Sequence, residues 1–121
     1  MFTTKNIGDS GEEIAANYLI GKGYEIVERN FRTNVGEIDI IAVYDGYLIF
    51  VEVKTRFNEK FGFGADAVGF HKRNKINQVA CQYIAKRKLY HQAVRFDVIE
   101  VYTEDKRIEH IENAFDSYMR Y

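Results

Sequence analysis

Two short segments of the chain carry acids and a lysine at alternate positions, Glu37-Ile38-Asp39 and Glu52-Val53-Lys54. Carboxylates are the ligands that Mg²⁺ and Mn²⁺ prefer, and such an ion both neutralises charge on a phosphodiester and activates water for its hydrolysis. A neighbouring lysine can orient that water or stabilise the negatively charged transition state. The residue types therefore predict a metal-dependent hydrolytic site, in which Asp39 and Glu52 are metal ligands and Lys54 is the catalytic lysine.

A β-hairpin would bring the two segments together. Polar and apolar residues alternate in both segments, which is typical of β-strands, and Asp45-Gly46 between them is a strong signal for a two-residue turn. Counting back from that turn places Asp39 opposite Glu52 and Glu37 opposite Lys54, with all four side chains on one face.

Away from this charged end, both faces of the predicted hairpin are apolar, as expected for central strands covered on both sides. Strict alternation puts Ile38 and Ile40 together on the face opposite the acids. Charge is thus confined to one end of a buried hairpin, where solvent and a ligand can reach it.

The predicted opposition of Asp39 and Glu52 needs a cation, because like charges at directly opposed strand positions are destabilising. The alternative is a buried network of ion pairs, which is a poor device for stability, so we favour a metal site. Two interpretations of Glu37 stay open. It is either a further ligand or general base, or it simply pairs with Lys54.

The rest of the chain predicts the elements that position these residues. Apolar residues recur with helical spacing over 8–22 and 71–88. Strands are predicted over 24–32, within the hairpin 37–55, over 93–102 and over 107–114, with a glycine-containing loop over 56–70. The order α-β-β-β-α-β-β predicts an α/β fold with a mixed central sheet flanked by helices.

Composition indicates one globular domain over residues 1–121, of which 46% are apolar and 29% charged. The chain has no apolar run near the roughly 20 residues that span a membrane, so no membrane association is expected. A single cysteine, Cys81, excludes an internal disulfide and fits a reducing compartment, which predicts a cytoplasmic protein. The helical spacing of Cys81 favours packing over nucleophilic chemistry.

Positive charge is concentrated in the middle third of the chain, although the net charge is only −1. From Lys54 to Arg95 there are ten Lys or Arg residues and two acids. The first half of this segment mixes bases with phenylalanines, which suits a nucleic-acid groove with aromatic stacking on unpaired bases. The candidate nucleic-acid-binding residues are Arg56, Lys60, Lys72, Arg73 and Lys75. The alternative is a solvated helix face and a loop whose phenylalanines cover the core.

These motifs also carry a resemblance to known proteins. Asp39 followed by Glu52-Val53-Lys54 resembles the D…(D/E)-x-K signature of the restriction-endonuclease-like, or PD-(D/E)XK, superfamily. The chain as a whole is similar to the YraN-like family of uncharacterised bacterial proteins. That similarity rests on Gly11-Glu12, Gly23-Tyr24, Arg29-Asn30, residues 36–42 and 50–56, Arg95-Phe96-Asp97 and Asn113-Ala114-Phe115.

The resemblance implies a restriction-endonuclease-like α-β-β-β-α-β core with Mg²⁺ or Mn²⁺ at the end of the sheet. By the same analogy, Asp39 and Glu52 are metal ligands, Lys54 is the catalytic lysine, and Glu12 is the extra acid that Holliday-junction resolvases place beside the metals. We therefore assign Glu12 to both the metal-binding and the catalytic group. The proline that often precedes the aspartate is replaced here by Ile38, as in resolvase-like members.

The function expected from these observations is a metal-dependent endonuclease that hydrolyses DNA phosphodiester bonds, on branched or single-stranded structures. The alternative is a non-catalytic nucleic-acid-binding or protein-interaction module that keeps the nuclease fold. An enzyme that cuts both strands of a junction needs two sites, which makes a homodimer a further expectation.

Overall fold

The computed structural model describes residues 4–56 and 69–115. Every predicted helix and strand is present, with its bounds shifted by a few residues at most except at the start of the first helix and in the shorter last strand. The elements are α1 (Thr4–Gly21), β1 (Glu25–Arg32), β2 (Glu37–Tyr44), β3 (Tyr47–Arg56), α2 (Phe70–Arg87), β4 (Ala93–Tyr102) and β5 (Ile108–Ile111). Most of the predicted loop 56–70, including Lys60, lies outside the described residues.

The five strands form one mixed sheet in the order β1-β2-β3-β4-β5. Strands β3 and β4 are parallel, and the other neighbouring pairs are antiparallel. A parallel pair needs a long connection from the end of one strand back to the start of the next, and α2 lies within that connection. The predicted α/β class with an α-β-β-β-α-β core is confirmed, with β5 added at the edge.

The hairpin register is confirmed over five pairs, from Tyr44 opposite Tyr47 to Ile40 opposite Val51. Its turn has φ of 51° at Asp45 and 82° at Gly46. Positive φ at both central residues is the requirement of a type I′ turn, whose twist matches that of the strands.

The β2–β3 ladder ends at Ile40 and Val51, so the expected direct pairing of Asp39 with Glu52 and of Glu37 with Lys54 lies beyond it. At this point the backbone N–H of Val53 donates to Oδ2 of Asp39, over 2.8 Å. A side-chain acceptor on β2 thus takes a strand N–H that would otherwise serve the ladder. The two strands separate where the acids begin.

Two apolar clusters cover the two faces of the sheet. The α1 face buries Ile40, Ala42, Ile49 and Val51 with residues of α1, and the α2 face buries Ile41, Leu48 and Phe50 with residues of α2.

The predicted placement of Ile38 beside Ile40 was wrong, because Ile38 packs in the cluster on the α2 face. Its neighbours along the β1–β2 ladder show why. Asn30 lies between Arg29, which faces Ile40, and Phe31, which faces Ile38, and its φ is 53°. A left-handed residue interrupts the alternation of side chains in β1 at this point, and Phe31 and its partner Ile38 both lie on the α2 face.

Helix α1 approaches β3 closely at Gly11. A Cβ atom at that position would lie 2.2 Å from Oγ1 of Thr55, which is too short for any real contact. A side chain at Gly11 would therefore force the Thr55 side chain or the helix to shift, and the next residue, Glu12, lies beside the acids at the charged end of the sheet.

In the part of the chain that the structure describes, neither helix is long and apolar enough to cross a membrane.

Candidate metal centre

Three carboxylates from three positions in the fold converge at the separated ends of β2 and β3. Glu12 comes from α1, and Glu37 and Asp39 come from the start of β2. One carboxylate oxygen from each lies within 4.8 Å of the other two. All three residues are half-buried. Sequence analysis assigned Glu12 and Asp39 to the metal and left Glu37 open, and the structure brings all three together.

Asp39 lies at the centre of this acidic group. Burial and the nearby charge of Glu52 raise the pKa of the Asp39 carboxyl to about 8, with smaller contributions from Glu12 and Glu37. The hydrogen bond from the N–H of Val53 opposes this shift without cancelling it. An aspartate with such neighbours is unstable as an anion unless a positive charge joins it. Its environment therefore fits a divalent cation.

Glu52 is separate from the group of three, and its charge is balanced within the chain. Its Oε1 lies 2.6 Å from Nζ of Lys72, in the first turns of α2. The Glu52 side chain is only 10% exposed, whereas that of Lys72 is 46% exposed. The predicted ligand Glu52 is thus close enough to Asp39 to raise its pKa, but its carboxylate is held by a lysine.

Two lysines lie beside Glu52. Burial, together with the neighbouring charges of Lys72 and Arg56, lowers the pKa of the Lys54 ammonium. Burial also acts to lower the pKa of Lys72, but its hydrogen bond to Glu52 and that residue's charge outweigh burial, so the net shift is upward. Of these two lysines, Lys54 is thus the one that more readily gives up a proton.

Glu37 has a partner other than the predicted Lys54. It accepts a hydrogen bond from Nε of Arg32, at the end of β1, and the Arg32 side chain is exposed. The predicted ion pair of Glu37 with Lys54 is therefore replaced by one with Arg32. The Glu37 carboxylate still belongs to the candidate ligand group.

A cavity of about 510 Å³ opens beside these residues. Its lining includes Glu37, Asp39 and Glu52 and, from the first two turns of α2, His71, Lys72 and Lys75. Acids that suit a cation and bases that suit an anion thus border one open space, and Lys72 and Glu52 are in direct contact there. A cation bound to the acids and an anionic substrate held by the bases would meet in this cavity.

The five residues predicted to bind nucleic acid have different surroundings. Lys72 and Lys75 line the cavity, whereas Nε of Arg56 donates to Oε2 of Glu100 over 3.1 Å. Nε of Arg73 is buried and has no hydrogen-bond partner among the described residues. Lys60 lies outside them. Binding of nucleic acid by all five stays a prediction.

Glu100, the buried acid that pairs with Arg56, was not predicted from the sequence. It lies in β4 directly beside Lys54 in the parallel ladder. The available signal was an acid in an otherwise apolar part of that strand, Val98-Ile99-Glu100-Val101. Its place beside Lys54 depends on the parallel register of β3 and β4, which no local pattern reveals.

Comparison with known proteins covers nearly the whole chain. A family model for the uncharacterised protein family UPF0102 matches residues 11–101. A UPF0102 protein of Clostridioides difficile (strain 630) is 55% identical over 111 residues, which are 92% of this chain and 97% of that protein. Another, from Caldanaerobacter subterraneus subsp. tengcongensis, is 47% identical over 116 residues, or 92% and 95% of the two chains. The expected similarity to a family of uncharacterised, YraN-like proteins is confirmed, and the chain belongs to family UPF0102.

Proposed function

We propose that this protein is a Mg²⁺- or Mn²⁺-dependent endonuclease that hydrolyses DNA phosphodiester bonds. The observation that carries the proposal is the convergence of Glu12, Glu37 and Asp39, with Glu52 close by, at one end of the sheet. Such a group of acids is costly to a protein unless it binds a cation. The lysines beside this group of acids supply the positive charges that can bind the phosphate and stabilise the transition state.

Each residue of the site has a distinct part in this proposal. Glu12, Glu37 and Asp39 hold the cation, and Glu52 joins them as a further ligand. When bound, the cation neutralises charge on the phosphate and lowers the pKa of water. Lys54, whose ammonium pKa is lowered by burial and by Lys72, orients the attacking water or stabilises the transition state.

DNA is the proposed substrate because basic residues line the same cavity as the candidate metal ligands. His71, Lys72 and Lys75 border it on α2, where they can contact phosphates next to the bond that is cut. Branched or single-stranded structures, in which the sugar–phosphate backbone is accessible to a site at the end of a sheet, are the proposed substrates. A cytoplasmic location and a homodimer that cuts two strands belong to the same proposal.

The test is cleavage of a panel of labelled DNAs, comprising linear duplex, single strand, flap and four-way junction, with Mg²⁺, Mn²⁺ or EDTA. The expected result is cleavage of a branched or single-stranded member that requires the metal. Asp39→Ala and Lys54→Ala should each lose at least about a hundredfold in rate, the usual effect of removing a catalytic group. Asp45→Asn, at the opposite end of the hairpin, keeps a residue that tolerates the positive φ of the turn and is the matched control that should retain activity.

The alternative is a module that binds nucleic acid without cutting it. It predicts salt-dependent DNA binding, no metal-dependent product, and a larger effect of substituting Lys72 and Arg73 than of substituting Asp39. Cleavage that survives unchanged in both Asp39→Ala and Lys54→Ala would contradict the proposed enzyme outright.

A further inference from the structure

We propose that Lys72 alternates between two anions: it neutralises Glu52 while no metal is bound, and it binds a phosphate of the substrate once a divalent cation holds Glu52. This inference rests on the proposed function, because it concerns the same site. It adds a reason why metal and nucleic acid should bind cooperatively.

Lys72 and Glu52 are in direct contact. Nζ of Lys72 lies 2.6 Å from Oε1 of Glu52, and the Glu52 side chain is nearly buried. A buried carboxylate needs a positive charge, and an ammonium at this distance supplies it. In the absence of a metal, Lys72 therefore does for Glu52 what a bound cation would do.

Glu52 lies near the other three acids but outside their group. Glu12, Glu37 and Asp39 already have oxygens within 4.8 Å of one another, and Glu52 is not a member of that group among the described residues. Its charge nevertheless reaches Asp39, since it is the neighbour that contributes most to raising the pKa of Asp39. Releasing Glu52 from Lys72 would let it complete the ligand set, so the ammonium and the cation compete for the same carboxylate.

The Lys72 ammonium, once released from Glu52, can move into the adjoining cavity. The Lys72 side chain is half-exposed, at 46%, and it borders the same cavity as His71 and Lys75. Its four-carbon stem is flexible, so the charged end can move without a change in the helix. A substrate phosphate in this cavity is the anion that would take the place of Glu52. Binding of the cation thus leaves the Lys72 ammonium on α2 free to bind a phosphate.

Cooperativity follows from this exchange by linkage. If the cation frees Lys72 for phosphate, nucleic acid must in turn raise the affinity for the cation, by the same factor. An enzyme built in this way holds its substrate tightly only when the metal needed for cutting is present.

Calorimetric titration of the full chain with Mn²⁺ tests the exchange, using Lys72→Met and the matched control Lys75→Met. Both substitutions remove one positive charge from the same cavity, but only Lys72 pairs with Glu52. Lys72→Met should lower the Mn²⁺ dissociation constant about five- to tenfold, the effect of removing one competing ion pair. Lys75→Met should change it less than about twofold.

The outcomes separate this inference from the proposed function. Mn²⁺ binding by the wild type with equal or weaker binding by Lys72→Met overturns the exchange and leaves the metal site intact. Failure of wild type, Lys72→Met and Lys75→Met alike to bind Mn²⁺ overturns both. A merely structural role for Lys72 would weaken metal binding, so the predicted direction excludes it.

A second measurement uses the wild-type protein and does not depend on a variant that folds. Amines are acetylated under limiting reagent with and without Mn²⁺, and the modification of each lysine is quantified by peptide mass spectrometry. Mn²⁺ should increase acetylation of Lys72 relative to Lys75, and a single-stranded oligonucleotide added with Mn²⁺ should reverse the increase. An unchanged Lys72 to Lys75 ratio with bound Mn²⁺ would contradict the release of Lys72.

Discussion

Two aspartates on the same sheet, the half-buried Asp39 in β2 and the buried Asp97 in β4, have opposite electrostatic environments. The pKa of Asp39 is raised to about 8 by burial and by Glu52. Burial acts in the same direction on Asp97, but hydrogen bonds from His110, Arg95 and the backbone N–H of Asn113 outweigh it, and its pKa is lowered. The surroundings of each carboxylate, and not its burial, decide the sign.

The Asp97 carboxylate has a complete set of partners. Nε and Nη2 of Arg95 lie 2.9 and 2.8 Å from its two oxygens. Nε2 of His110 lies 2.7 Å from Oδ2, and the N–H of Asn113 donates to Oδ1 over 3.0 Å. Further contacts extend outward, since Arg95 also donates to the hydroxyl of Tyr24 over 2.7 Å. This network ties β4 to β5 and to the segment after it, and it leaves no place for an external cation.

The contrast explains which cluster is a structural device and which is a candidate site. Every strong charge around Asp97 is compensated inside the chain, so the network can stabilise the fold. Around Asp39, the charges of Glu52, Glu12 and Glu37 all act to raise its pKa. The nearby cations Lys72 and Arg32 form their ion pairs with Glu52 and Glu37, so the Asp39 carboxylate is the one that a cation from outside would join. Asp97 should therefore matter to stability and Asp39 to binding, and four substitutions test that division.

The largest expected effect is that of Asp97→Ala, which removes the main counter-ion of the half-buried Arg95 guanidinium and leaves it only Glu112, at 4.0 Å. We expect a loss of about 3–5 kcal/mol in the free energy of unfolding, as for other broken buried ion pairs. Urea denaturation followed by circular dichroism measures it, with Asp45→Asn at the exposed turn as a control that should change little. A loss below about 1 kcal/mol would show that the network does not stabilise the fold.

Asp39→Asn should have the opposite effect in the absence of metal. The folded-state pKa of about 8 lies above the ordinary value of 3.8, so ionisation costs stability progressively as pH rises from about 4 through 8. The neutral amide escapes this cost, and we expect a gain of roughly 1–3 kcal/mol at pH 8 in EDTA and little change at pH 4. Stabilisation by Mn²⁺ should disappear in the same variant.

Unfolding free energies of wild type and Asp39→Asn, measured between pH 4 and pH 9 with and without Mn²⁺, decide this prediction. Equal pH profiles in EDTA would mean that Asp39 is not destabilised by its neighbours. Persistent stabilisation of Asp39→Asn by Mn²⁺ would mean that the ion binds elsewhere.

Gly11→Ala should lower both the stability of the fold and the affinity of the acids around Asp39 for Mn²⁺, by displacing helix α1. The added methyl group would lie 2.2 Å from Oγ1 of Thr55, so the expected response is a shift of α1 away from β3 that displaces Glu12. We expect a loss of about 1–3 kcal/mol in stability, as for other overpacked positions, together with weaker Mn²⁺ binding. The double variant Gly11→Ala/Thr55→Ala removes the clashing hydroxyl and should recover both properties in part. Additive effects of the two substitutions would contradict this explanation.

The smallest expected effect is that of Tyr18→Phe, at the edge of the Asp97 network. The Tyr18 hydroxyl lies 3.2 Å from Nδ1 of His110, the ring atom that does not contact Asp97. Loss of this hydrogen bond should cost about 0.5–1.5 kcal/mol and leave Mn²⁺ affinity unchanged. A change in metal affinity would connect the two regions that the comparison separates.

Local patterns in the sequence were sufficient for the elements and the hairpin. Alternation, helical spacing and the Asp45-Gly46 turn predicted each helix and strand and the register from Tyr44–Tyr47 to Ile40–Val51. The prediction for Ile38 was wrong because alternation assumes a regular backbone, and the left-handed Asn30 on the neighbouring strand breaks it.

The candidate acids could also be predicted, but their partners could not. Residue type and hairpin geometry identified Asp39, Glu52 and Lys54, and the family resemblance added Glu12. The ion pair of Glu52 with Lys72 joins β3 to the start of α2, across a segment with no local signal for it. The pairing of Arg56 with Glu100 likewise depends on the parallel register of β3 and β4.

The tight turn at Asp45-Gly46 has a consequence for the order of folding. It lies at the opposite end of the hairpin from the acids, and the pairs nearest to it are aromatic or aliphatic, beginning with Tyr44–Tyr47 and Val43–Leu48. A hairpin that closes from its turn forms these local contacts first, in microseconds, at small entropic cost. The repelling carboxylates meet only in the last step, when most of the favourable contacts already exist. The contacts that form first and the carboxylates that repel one another thus lie at opposite ends of the same two strands.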